Sequence, residues 1–197
     1  LVILLAYIVA RELKRGTGLE HSLVLAALAL AIGIAVFTCI ALHELGHSYV
    51  AIKKGCKVRE ITLLFIGGAA QMERMPSRPR DELLMAIAGP LVSLVLGILL
   101  LPPGIYLWKT DGNVFLTMFL LSVGATNMVL ACFNLLPAFP MDGGRVLRAL
   151  LTKKMGRLRA TYVASRLGKY VAILFGLIGF FGIPGCVGQK IHSPGHP

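Results

Sequence analysis

The sequence predicts an all-α polytopic membrane protein of about five to six transmembrane helices, the first and last incomplete, with a short re-entrant β segment at 61–72. Three observations predict this. Of 197 residues, 56% are hydrophobic and 15% charged, against roughly 25% charged in an ordinary soluble domain. Four uncharged stretches, Ser22–Leu42, Leu83–Trp108, Gly112–Met141 and Tyr170–Gln189, reach the ~20 residues that a bilayer-crossing helix needs. The net charge of +11 is also lopsided. With Arg11, Lys14, Arg15, Lys109 and Lys190 on one side, the remaining fifteen of the twenty Lys and Arg fall on the other, which the positive-inside rule makes cytoplasmic. That distribution is a membrane pattern, so no nucleic-acid partner is expected.

The elements follow in order. Residues 1–10 are half a span; the chain opens in apolar sequence without a Met, which reads as a first helix missing its start. No basic region precedes it and no small-residue cleavage site follows, so it does not read as a secretory signal. A full span covers 22–50. ITLLFIGGAA at 61–70 is flanked by cationic loops and too short to cross as a helix. Its β-branched and aromatic residues ending in Gly67-Gly68 suggest a strand or hairpin that dips in and returns. Spans at 83–108, 112–141 and 165–189 complete a core over 1–183, and the polar tail 184–197 is expected to be disordered, including His192 and His196. Gly89, Ser93 and Gly97 recur every four residues, as do Ala27, Ala31 and Ala35, so these two helices are expected to pack closely through small residues. Arg145–Arg159 reads as a solvated segment facing anionic lipid. The cysteines form no Cys-x-x-Cys pair and suggest packing, not redox chemistry.

The chemistry lies in His43-Glu44-Leu45-Gly46-His47. On a helix His43 and His47 share a face one turn apart and can bind one zinc, with Glu44 beside them to activate a bound water. A catalytic zinc takes three protein ligands. Candidates for the third are Asp142, Glu73, Asp81, Glu82, Asp111 and His21. Topology puts Asp111 and His21 on the opposite side, while Glu73, Asp81 and Glu82 sit among Arg74, Arg78 and Arg80, where surface pairing suffices. Asp142 closes the apolar run from Asn134 and enters the same half of the membrane that HExxH reaches, about 6–12 Å below the boundary near residue 51 at 1.5 Å per residue. Pro137 and Pro140 prevent an ideal helix there, and Gly143-Gly144 allow a sharp exit. The plainer reading of Asp142 is a helix-end cap paired to Arg145. Cys39, one turn before His43, reads as a packing residue in place of a thiolate ligand.

HELGH at 43–47 with NLLPAFPMDGG at 134–144 resembles the site-2 protease family of intramembrane zinc metalloproteases, in its prokaryotic type often followed by a CBS domain. IGGAAQMER at 66–74 and AGP at 88–90 resemble further family segments. The resemblance covers about residues 1–183 and implies one Zn2+ per chain, held by His43, His47 and Asp142, with Glu44 as general base. It implies that Asn134 helps bind substrate or stabilise the tetrahedral intermediate, and that Gly67 and Gly68 belong to a β segment that receives an unwound substrate as an added strand. The implied function is peptide hydrolysis within or near transmembrane segments of single-pass signalling proteins, of the anti-sigma-factor or membrane-bound transcription-factor type. The implied setting is the lipid bilayer of the inner or plasma membrane, multi-pass, with the active site open toward the cytoplasm and homo-oligomers left open. The family's complete first and sixth helices are not fully present, and no CBS-like sequence follows. The alternatives are a membrane zinc transporter or a non-catalytic substrate-binding homologue. Spans with only scattered hydroxyls and a thiol disfavour the former, and the intact Glu44 the latter.

Overall fold

A computed structural model describes residues 19–56, 58–64, 67–72 and 78–182. The elements are helix α1 (Leu19–Lys53), strands β1 (Val58–Leu64) and β2 (Gly67–Met72), and helices α2 (Pro79–Lys109), α3 (Val114–Asn134), α4 (Asp142–Met155) and α5 (Arg157–Gly182). Among the described residues four helices are long and apolar enough to cross a membrane, at Leu23–Lys53, Pro79–Lys109, Val114–Asn134 and Arg157–Gly179. The partial span at 1–10 and the tail at 184–197 lie outside the described residues.

Local sequence accounts for several of the helix ends. Beyond α1, Gly55 adopts φ +79°, a left-handed conformation that costs glycine little. The Gly55 N–H donates to Ile52 O at 2.9 Å and the Cys56 N–H to Ala51 O at 3.0 Å, which satisfies two end carbonyls of the helix. Pro79 opens α2, with Asp81 and Glu82 in its first turn favoured by the positive end of the helix dipole. Asn113 caps α3, its Oδ1 accepting the Leu116 N–H at 3.0 Å. The short Thr110–Asn113 connection makes α2 and α3 antiparallel neighbours, and Gly97, Gly104 and Gly124 let them close on one another: a Cβ at Gly97 would meet Met128 Sδ at 2.6 Å, and one at Gly124 would meet Leu101 Cγ at 2.9 Å. Strands β1 and β2 pair antiparallel, Leu63 opposite Gly68 and Leu64 opposite Gly67, and lie against α1.

Three expectations are corrected. The span expected over 112–141 is helical only to Asn134; residues 135–141 form turns, because Pro137 and Pro140 cannot propagate a helix. Ala27 and Ala31 are exposed. Ala35 does pack, but its companions on the packing face of α1 are Leu28, Ile32, Val36 and Cys39, against Leu96 and Leu100 of α2 and Phe119 and Val123 of α3, larger side chains that bury more apolar surface than alanines would. Arg145–Arg159 lies mostly in α4 and is exposed from Lys153 to Arg159, but Glu82 is no surface partner. Glu82 is 2% exposed and accepts from Arg148 Nε at 2.6 Å, with Arg148 Nη2 also in contact and Arg157 Nη2 3.7 Å from its other oxygen. One carboxylate therefore fastens the start of α2 to both α4 and α5.

Breaking a buried pair from one side strands a charge and typically costs about 3–5 kcal/mol. Arg148→Ala is therefore expected to lower the thermal unfolding midpoint in detergent sharply. Lys54→Ala, which opens the more exposed pair to Asp81 at 2.9 Å, should shift it by less than about 1 kcal/mol equivalent.

Candidate metal centre

His43 and His47 lie one turn apart on the buried face of α1, 3% and 2% exposed. Asp142, in the first turn of α4, comes to them from 95 and 99 residues away in the chain. Its Oδ2 is 3.3 Å from His43 Nε2 and 3.0 Å from His47 Nε2, and the two Nε2 atoms are 3.3 Å apart. Around a tetrahedral zinc with ligand bonds of about 2.0–2.1 Å, neighbouring donor atoms lie about 3.3–3.4 Å apart, so the triangle fits that ion.

The protons support the same reading. His47 Nδ1 lies 2.7 Å from Met85 O, and a carbonyl only accepts, so Nδ1 carries a hydrogen and Nε2, the nitrogen facing Asp142, is the one left to bind a metal. An ionised oxygen and lone pairs facing each other in a buried site repel unless a cation or proton lies between them. The donor set suits a divalent metal.

The turn from Leu135 to Met141 delivers Asp142, and two glycines let it fold back. A Cβ on Gly143 would lie 2.1 Å from Leu136 O, and one on Gly144 would lie 2.6 Å from Phe139 N. Both belong to α4 without positive φ, so close approach explains them, in place of the sharp exit that the sequence suggested. On the other flank, α2 presents Met85, Gly89 and Ser93 on one face to the imidazoles. Ser93, fully buried, places Oγ 2.9 Å from His43 Nδ1, and a Cβ on Gly89 would meet His47 Nε2 at 2.2 Å. The stripe read as packing is also part of the site.

Glu44 lies beside His43 on α1 and is half-buried. Asn134 ends α3, and one of its amide hydrogens is donated to Leu130 O at 3.0 Å. Gly67 and Gly68 open β2. Of the third-ligand candidates, Asp142 joins the histidines in a cluster. Asp81 pairs with Lys54, Glu82 with Arg148, and Asp111 sits at φ 49° in the turn after α2. Glu73 and the His21 side chain lie outside what is described. Cys39 packs with Ile32 and Val123. Asp142 also meets Arg145, 3.7 Å from Oδ1, so pairing with Arg145 uses the oxygen that the imidazoles leave free and is compatible with ligation. Gly89→Ala drives a methyl into the His47 ring and should weaken zinc binding at least about tenfold in chelator competition. Gly33→Ala, with nothing within 4 Å of the added carbon, should leave it unchanged.

Known proteins resemble this chain along most of its length. The model of peptidase family M50 matches residues 31–112 and 105–175. A zinc metalloprotease of Methanocaldococcus jannaschii is 46% identical over 150 residues, covering 76% of this chain and 43% of its own length. Stage IV sporulation protein FB of Bacillus subtilis is 28% identical over 169 residues, covering 82% and 56%. The solved site-2 protease from Methanocaldococcus jannaschii superposes with a TM-score of 0.62 at 37% identity, over 93% of this chain and 79% of that one. The chain spans about two fifths of the length of that first relative. With its pattern of apolar helices around a His-His-Asp cluster, the chain belongs to peptidase family M50, the site-2 protease family.

Proposed function

We propose that the chain is the core, over about residues 1–183, of an intramembrane zinc metalloendopeptidase. The observation that carries this is the buried convergence of His43 Nε2, His47 Nε2 and Asp142 Oδ2 from helices of a membrane protein. In this reading these three groups hold one Zn2+ per chain. When bound, the metal polarises the scissile carbonyl and lowers the pKa of water toward ~7.

The remaining steps fall to the chain's own residues. Glu44 accepts a proton from the attacking water and later delivers it to the leaving amine. The second amide hydrogen of Asn134 is the group available to the developing oxyanion. A helix hides its carbonyls in its own hydrogen bonds, so the substrate must unwind first. The β1–β2 pair, re-entrant in this reading, offers Gly67 and Gly68 at the start of β2 as the place where an extended strand is received.

The substrates proposed are single-pass signalling proteins, anti-sigma factors or membrane-bound transcription factors, cut within or near their spans. The excess of Lys and Arg on the side of the loops around 51–82 and 142–169 supports a site open to the cytoplasm of an inner or plasma membrane. Family membership and the intact Glu44 favour this reading over a zinc transporter or a non-catalytic homologue.

The test is zinc content and cleavage of a single-span reporter by detergent-purified protein. About one zinc per chain is expected in wild type and in Glu44→Gln, with cleavage in Glu44→Gln lower by about 10²–10⁴-fold. Asp142→Ala should lose both zinc and cleavage, and a chelator should abolish wild-type cleavage until zinc is returned. Full activity in Glu44→Gln would reject the mechanism.

A further inference from the structure

We infer that Ser93 is a positioning residue of the metal centre: by accepting a hydrogen bond from His43 Nδ1 it holds that imidazole in the tautomer whose Nε2 lone pair faces Asp142. The inference rests on the proposed metal site and deepens it.

A neutral imidazole carries one hydrogen on one of two nitrogens, and the partner of the other nitrogen decides which. For His47 the partner is the Met85 carbonyl, which only accepts, so its choice is made by backbone. For His43 the partner is a hydroxyl, which can donate or accept. The opposite side of the ring resolves the ambiguity. His43 Nε2 faces Asp142 Oδ2 and His47 Nε2, each at 3.3 Å, and sharing a metal with them requires its lone pair there. The hydrogen then lies on Nδ1, and Ser93 Oγ accepts it.

Position makes this interaction hard to replace. Ser93 is fully buried, so bulk water does not substitute for a missing hydroxyl. It lies eight residues after Met85 and four after Gly89, so the same face of α2 orients both rings: Met85 O fixes His47, Gly89 leaves that ring its space, and Ser93 fixes His43. The two ligands are thus held by unlike devices. A side-chain substitution can remove the support of His43, whereas that of His47 survives any change at Met85 that preserves the helix.

The experiment measures zinc affinity of the full chain in detergent by chelator competition, together with the imidazole N–H resonances of 15N-histidine-labelled, zinc-loaded protein. Wild type is expected to show slowly exchanging Nδ1–H signals from both His43 and His47. Ser93→Ala is expected to bind zinc about 10–100-fold more weakly and to lose the protected signal of His43 while keeping that of His47. Ser93→Thr, which retains the hydroxyl, is expected to bind within about threefold of wild type, a shift smaller than 1 kcal/mol equivalent. Unchanged zinc affinity in Ser93→Ala overturns the inference. Equal loss of both imidazole signals also overturns it, because that marks a general loosening of α2. Wild-type protein that takes up no zinc would instead remove the proposed function, and this inference with it.

Discussion

The structure depends on the meeting of three electron-pair donors where water is scarce. His43 Nε2, His47 Nε2 and Asp142 Oδ2 lie within 3.3 Å of one another, an arrangement that is repulsive until positive charge is shared among them. Holding such a cluster together takes rigid supports on every side. Helix α1 spaces the histidines, α2 grips the far side of both rings, and the 135–141 turn brings the carboxylate up against them. Each support is made by removing bulk or by offering a single polar atom, so the surrounding helices keep their apolar surfaces for one another and for lipid.

The second constraint is the anchoring of α4, which carries Asp142 but is too polar to belong to the apolar bundle. The Glu82 carboxylate, with Arg148 and Arg157 around it, fastens α4 and α5 to the beginning of α2. The Phe139 ring, with the Arg148 guanidinium 5.2 Å from its centroid, ties the turn to the same arginine. Position 168 on α5 closes the back of the turn, where a Cβ would meet Phe139 O at 2.3 Å. A carboxylate ligand at the first turn of a short amphipathic helix is thereby fixed relative to two histidines on a different helix.

Much of this was legible in the sequence, for identifiable reasons. HExxH declares itself because helical spacing puts both histidines on one face, and Asp142 stands out as a carboxylate at the end of an apolar, proline-broken run. What was not legible depends on contacts between distant segments. The Met85 carbonyl has no side-chain signature, so nothing at position 85 announces a partner for His47. Gly89 and Ser93 were visible as a small-residue stripe, yet their service to the imidazoles appears only once α1 and α2 are aligned. The role of Glu82 is hidden because neighbouring arginines suggest open surface pairing, whereas its partner, Arg148, lies 66 residues on. Of the Ala27, Ala31, Ala35 stripe, Ala35 packs while the other two are exposed: regular spacing marks a face but not the neighbour it meets.

The separation of Asp142 from the histidines also bears on how the protein is made. At a synthesis rate of about 5–20 residues per second, the carboxylate is added roughly 5–20 s after His47. Until then a nascent bundle offers the ion two nitrogens without the Asp142 oxygen, and the incomplete set binds weakly. High affinity arrives with the docking of α4, so metal uptake and long-range closure are thermodynamically linked. By mass action, an ion held by all three donors would stabilise the chains in which α1 and α4 have already docked.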